Sequence, residues 1–117
     1  MSRHLDALKR ANVTRLGIAR VKGEVASLGQ ADGARLAAEL LRDPDDAAGA
    51  ATIDALVTAV HRIGVTRMDR LFSQARFTVM ARHRRVRELT DRQRHLVADL
   101  LEELADTADE VAARRTA

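Results

Sequence analysis

The chain has no cysteine, no tryptophan and no tyrosine, and its 117 residues include only one proline, Pro44, and two aromatic side chains, Phe72 and Phe77. Without cysteine there is no disulfide, no thiolate zinc site and no thiol nucleophile, and nothing calls for an oxidising compartment. Without aromatics the core has to be built from Ala, Leu, Val and Ile, a set that suits closely packed helices. No apolar run approaches the roughly 20 residues needed to cross a bilayer, and the opening Met-Ser-Arg-His-Leu-Asp has no apolar leader segment. The expectation is a cytoplasmic protein without membrane contact. At this length one domain is expected, divided into a long basic N-terminal helix over 1–29, a helical core over 30–101 and an acidic helical tail over 102–117.

Catalytic patterns are also missing. His4, His61, His83 and His95 are widely spaced and form neither an i, i+4 pair nor a His-Glu-x-x-His motif, so no metal ligand set is expected. Asp43, Asp45 and Asp46 cluster around Pro44 but lack the glycine and distal glutamate of a calcium loop. Glu102 and Glu103 are adjacent on a helix and cannot converge. No phosphate-binding glycine loop is present, and no serine stands beside a histidine base. The expectation is a protein that is not an enzyme and takes no cofactor and no small-molecule substrate.

What the chain does have is arginine, unevenly distributed. Of 20 basic residues 18 are arginine, against 17 acidic residues. Residues 1–23 carry six basic side chains and one acid, for +5, and residues 24–60 carry two against seven, for −5. Residues 61–94 hold ten arginines against three acids, for +7, and 95–117 return to −4. Arginine offers a planar fork suited to phosphate, and a genome's codon bias does not explain its clustering. A basic surface facing a polyanion is the functional reading.

The apolar spacing is helical throughout, and no segment alternates as a strand does. One helix is expected from Leu5 to Leu28, with apolar positions at Leu5, Leu8, Leu16, Val21, Val25 and Leu28, bent or broken at Gly17 or Gly23 and stopped by Gly29. Asp32 is expected to cap a short helix with Leu36, Leu40 and Leu41 inside, followed by a loop from Asp43 to Ala51. Thr52 caps a helix with Ile53, Leu56, Val57 and Val60 buried. Thr66 with Asp69 has the spacing of a capping box for the next helix. Arg76 to Leu89 reads mostly as loop with one helical turn. Thr90 with Gln93 repeats the capping-box spacing before a last helix from about Asp91 to near Ala108, striped by Leu96, Val97, Leu100, Leu101 and Leu104. Backbone N–H groups near Thr66 and Thr90, with the surrounding arginines, suit phosphate.

The order of these pieces resembles the actinobacterial integration host factor family of small helical nucleoid proteins. Asp54-Ala55-Leu56-Val57 with Val60 is similar to the family's first core helix, Arg62-Ile63-Gly64-Val65 to its Gly-Val-Gly-Lys turn, and Arg84-Arg85-Val86-Arg87-Glu88-Leu89-Thr90 to its Arg-Arg-Val-Arg-Gly-Leu-Gly segment. The chain departs from the pattern at His61, Arg62, Val65, Glu88 and Thr90, as a divergent or phage-borne member would. The resemblance implies a helix-two-turns-helix unit that grips the backbone of double-stranded DNA on the nucleoid, with weak sequence preference and the ability to bend it. It points to Arg84, Arg85 and Arg87 with the turn around Gly64. The charge pattern adds Arg62, Arg67, Arg92, Arg94, Lys9, Arg10 and Arg15 as phosphate contacts. The reading from another class is a helical interaction module, in which the stripe Val97, Leu101, Leu104, Ala108 and Val111 forms a seam with a second chain. RNA is a third partner, disfavoured by the lack of aromatics for stacking. A monomer or homodimer is expected.

Overall fold

Small side chains decide how this fold closes. The computed structural model describes residues 2–116, and they form six α-helices and two 3₁₀ turns with no strand among the described residues. The helices are α1 (Ser2–Ser27), α2 (Gln30–Arg42), α3 (Asp46–Ala50), α4 (Ile53–Thr58), α5 (Val65–Gln74) and α6 (Asp91–Thr116), with the 3₁₀ turns Ala81–His83 and Val86–Glu88 between α5 and α6. The all-helical, single-domain architecture with a long first helix is as expected from the sequence.

Helix α2 is the centre of the core. Its buried face is Gly33, Ala34, Ala37, Ala38 and Leu41, so the expected inner leucines Leu36 and Leu40 are only partly buried while alanines carry the contact. Close approach explains this: a Cβ built on Gly33 would lie 2.9 Å from the Val25 carbonyl oxygen of α1. The other wall is α6, whose Val97, Ala98, Leu101 and Ala105 are fully buried. Phe72, Ile53, Leu56, Val57 and Val86 fill the space between, and Phe72 meets Phe77 with ring centroids 5.4 Å apart.

Several boundaries differ from the sequence reading, each for a local reason. Helix α1 is continuous through Gly17 and Gly23 and ends at Ser27, and Gly29 is the extended N-cap of α2 rather than a stop. Asp32 therefore lies in the first turn of α2 and does not cap it. The segment expected as a loop holds α3, capped by Asp45, whose carboxylate accepts from the Ala48 N–H at 2.8 Å. Helix α5 starts at Val65 with Gly64 as N-cap, so Thr66 and Asp69 form no capping box. Asp69 instead pairs with Arg82 at 2.5 Å. The box at Thr90 is present, with Gln93 N–H donating to Thr90 Oγ1 at 3.1 Å and Thr90 N–H to Gln93 Oε1 at 3.0 Å.

Helix α6 continues past its expected end near Ala108 to Thr116, and two ion-pair groups tie it to α2 as far as Asp109. Arg42 reaches Asp99 at 2.5 Å and Glu102 at 3.1 Å, and Arg35 reaches Asp109 at 2.6 Å and Asp106 at 3.0 Å. Hydrogen bonds to Asp99 and then Glu102 hold the Arg42 guanidinium above its ordinary pKa, and Asp109 and then Asp106 do the same for Arg35. A base whose folded pKa is raised contributes its stability at every lower pH and loses it only in strong alkali. These pairs are solvent-facing, so they fix the antiparallel register of α2 on α6 more than they stabilise it.

The molecule measures 65 × 29 × 23 Å because the first half of α1 projects from the body. Every residue from Arg3 to Leu16 is exposed. Leu5 (50%), Leu8 (54%) and Leu16 (68%), expected on the helix stripe, are exposed, and the fully buried positions of α1 are Val21 and Val25.

Candidate nucleic-acid interface

The segment Arg84-Arg85-Val86-Arg87-Glu88-Leu89 is built as an alternation of anchored and free side chains. Arg84 and Arg85 are extended and lie antiparallel to the α3–α4 linker, with Ile53 N–H donating to the Arg84 carbonyl at 3.0 Å and Val86 N–H donating to the Ala51 carbonyl at 2.9 Å. Val86 is fully buried and Leu89 is 6% exposed, so the segment is held down at two points. Arg84, Arg85 and Arg87 are all exposed, and none has an ion-pair partner among the described residues. Arg85 N–H donates to Glu88 Oε1 at 3.2 Å, which leaves the Arg85 side chain free while fixing its backbone. Gly49 of α3 lies under Arg87, where an added Cβ would be 3.4 Å from the Arg87 Cβ.

Arg92, exposed in the first turn of α6, follows directly. Arg94 does not belong with it. Its guanidinium donates to the carbonyls of Leu41 at 2.8 Å and Arg42 at 3.2 Å and pairs with Asp91. The last carbonyls of a helix lack intrahelical donors, and Arg94 supplies them to α2, so it is a structural arginine and not the phosphate contact expected. Arg82 is likewise turned inward, over the Phe72 ring at 5.5 Å and onto Asp69.

Arg84 and Arg85 lie beside the N-terminal end of α4, a six-residue helix about 9 Å long, whereas Arg62, Gly64 and Arg67 follow its C-terminal end. Arg62 has φ 64, a left-handed conformation that costs an L residue about 1–2 kcal/mol. Gly64, expected as the turn glycine, has φ −88 and could accept a side chain, since nothing lies within 4 Å of its Cβ position. Its amide-rich surroundings remain open: α5 has no side-chain cap, so its first N–H groups face solvent. Arg62 and Arg67 share a groove with Arg70, a residue that sequence reasoning passed over although it lies within the ten-arginine block.

No protein-family model, curated protein or solved structure matches this chain. The functional reading therefore stands on geometry and charge.

Lys9, Arg10 and Arg15 lie on the exposed half of α1, where Arg15 donates to Asn12 Oδ1 at 3.0 Å and Arg10 to the Asp6 carbonyl at 3.4 Å. This arm joins the body where Gly17 meets Ala47 of α3, and α3 in turn carries Arg87. The arm and the arginine segment are thus linked through α3, whereas Arg62 and Arg67 sit beyond α4. The acids are placed elsewhere: Asp99, Glu102, Asp106 and Asp109 face Arg42 and Arg35 on the α2–α6 seam. Within the segment Glu88 is taken up by the Arg85 N–H, and Asp54 of α4 lies 2.8 Å from His83. No group of three His, Cys, Asp or Glu residues able to hold a metal occurs among the described residues, and no helix there is long and apolar enough to cross a membrane.

Proposed function

We propose that this chain is a non-enzymatic protein that binds double-stranded DNA through its phosphate backbone, in the manner of the small nucleoid proteins its sequence resembles. The observation that carries the reading is the anchored segment Arg84 to Leu89, in which three unpaired arginines stand on a backbone fixed by Val86, Leu89 and three hydrogen bonds. Holding arginines on a rigid element lowers the conformational entropy lost when they meet phosphate. Arg92 extends that surface on one side, and the helix-two-turns-helix unit that the resemblance implies would add Arg62, Arg67 and the open N-terminus of α5 beyond α4.

Phosphate contacts position a protein without reading sequence. Residues 84–92 contain no Asn or Gln for base readout, and Gln93, which follows them, is engaged in capping α6. The binding is therefore of low sequence preference, governed by DNA shape and deformability, and its place of action is the nucleoid. A gel shift with random duplex DNA, single-stranded DNA and duplex RNA, each at a low and a high salt concentration, tests this. Duplex DNA shifted at low salt and released at high salt supports the reading, and a preference for duplex RNA or for none of the three overturns it.

A further inference from the structure

Between α5 and the arginine segment the chain turns outward. Phe77 packs on Phe72, and Arg82 lies over the Phe72 ring at 5.5 Å and pairs with Asp69, so both ends of the stretch 77–82 are fixed to the core. Between them Val79 is 64% exposed and Met80 is 81% exposed, the highest value for a large apolar side chain among the described residues. The tip is braced by local hydrogen bonds. Phe77 N–H donates to the Phe72 carbonyl at 2.9 Å, Ala81 N–H to Thr78 Oγ1 at 3.0 Å, Arg82 N–H to the Thr78 carbonyl at 3.3 Å and His83 N–H to the Met80 carbonyl at 3.2 Å. Two consecutive apolar side chains are thus held out to solvent on a fixed backbone, with little part in the packing of the chain.

Charge identifies what this tip meets. Arg76 precedes it and Arg84 and Arg85 follow it, all three exposed and without an ion-pair partner among the described residues. Arg76 has φ 60, a left-handed conformation that costs about 1–2 kcal/mol and that glycine would adopt freely, so a guanidinium is kept there against the local preference of the backbone. The nearby acids are taken up: Asp69 by Arg82, Asp54 by His83 and Glu88 by the Arg85 N–H. Two side chains are too little surface for a protein interface, which takes about 800 Å² from each partner, whereas a single apolar residue suffices to open a base step. We propose that Val79 and Met80 form an apolar wedge that enters between two stacked base pairs from the minor groove and kinks the duplex gripped by Arg84 and Arg85. The wedge acts on the duplex of the proposed function and depends on that reading. Arg84 follows Met80 by one 3₁₀ turn, about 8 Å, and Arg76 lies at most about 14 Å before it. Both guanidiniums can therefore reach phosphates bordering a groove about 6 Å wide while Met80 stands over its floor. The unbranched thioether of Met80 adapts to the opened gap. Pyrimidine–purine steps unstack most easily and are the favoured point of entry.

Fluorescence of a labelled duplex with the full chain tests the wedge. A duplex with 2-aminopurine in place of adenine at a single central T-A step reports unstacking, donor and acceptor dyes on the ends of a matching duplex report bending, and a gel shift reports binding separately. At saturation the wild type is expected to raise the 2-aminopurine emission and to bend the duplex by about 20–90°. The Val79→Ser, Met80→Ser double variant should bind with the wild-type salt slope, because no arginine is lost, yet leave both signals at their free-duplex values. Met80→Leu, which keeps an apolar side chain of similar size, should retain both signals. Val79 and Met80 are exposed, so unchanged circular dichroism is expected for every variant. A wild type that binds the duplex and changes neither signal overturns the wedge and leaves the DNA reading standing, as does a double variant that unstacks and bends like the wild type. A wild type that binds no duplex overturns both.

Discussion

Truncation of Leu101 to alanine tests the packing of α6 with the fewest assumptions. Leu101 is fully buried and belongs to the hydrophobic core cluster. Removing a buried leucine side chain to Cβ loses transfer free energy and leaves a cavity, together costing about 2–5 kcal/mol. The neighbourhood is built from alanines on α2 that cannot extend to refill the space, which puts the expectation in the upper half of that range. Against a typical domain stability of about 5–15 kcal/mol the loss is large. At roughly 4 °C per kcal/mol for a chain of this size, the melting midpoint should fall by about 14–20 °C. Leu96→Ala on the same helix is the control, since it changes helix propensity identically but removes a side chain that is already 40% exposed. Urea titrations followed by far-UV circular dichroism give both free energies, and Leu96→Ala should cost less than about 1 kcal/mol. Equal losses at the two positions would refute the assignment of Leu101 to the core face.

Three further outcomes follow from single residues. Gly33→Ala should destabilise by about 1 kcal/mol, because its Cβ would lie 2.9 Å from a backbone oxygen and the strain exceeds the helix propensity gained, whereas Gly23→Ala, with nothing within 4 Å, should stabilise by about 0.5–1 kcal/mol; thermal melts of the pair decide it. Arg94→Ala should lower stability by about 1–3 kcal/mol by leaving the α2 carbonyls without their donor, while leaving the salt dependence of DNA binding unchanged, as salt titration of the folded variant will read. Arg62→Gly should raise the melting midpoint by releasing a left-handed arginine, an effect of up to about 1 kcal/mol, and should weaken duplex binding, so that the two assays move in opposite directions.

The parts of the fold that were legible in the sequence are those where large apolar residues repeat at helical spacing. Ile53, Leu56, Val57 and Val60 lie in the core as their spacing requires, and Val97 and Leu101 do the same on α6. On α1 the same rule held for Val21 and Val25 and failed for Leu5, Leu8 and Leu16, because periodicity states which residues share a face and not whether anything packs on it. Helix α3 was hidden for the opposite reason. Asp-Ala-Ala-Gly-Ala has no large apolar residue, yet Ala48, Gly49 and Ala50 are buried because smallness lets α1 and the Arg87 segment approach. Beyond Ala108 the sequence stripe ends, and the pairing of Arg35 with Asp106 and Asp109, more than seventy positions away, has no local signature. In the candidate interface, charge clustering located the arginines but could not sort them. Arg84, Arg85 and Arg87 are free and Arg94 is not, and only the position of the α2 carbonyls makes the difference.

The central claim is that the Arg84–Arg87 segment neutralises DNA phosphates, and salt-dependent duplex binding by the wild type and the Arg84→Ala, Arg85→Ala, Arg87→Ala triple variant tests it most directly. With about five phosphates neutralised, the wild-type plot of log K against log salt should have a slope near −4.5, and removing three contacts should flatten it by about 2.7 while affinity falls by orders of magnitude. Circular dichroism should be unchanged, because the three side chains are exposed and Val86 and Leu89 still anchor the segment. A triple variant that binds with the wild-type slope and affinity, while the Lys9→Ala, Arg10→Ala, Arg15→Ala variant does not bind, would contradict the account and move the contact to α1.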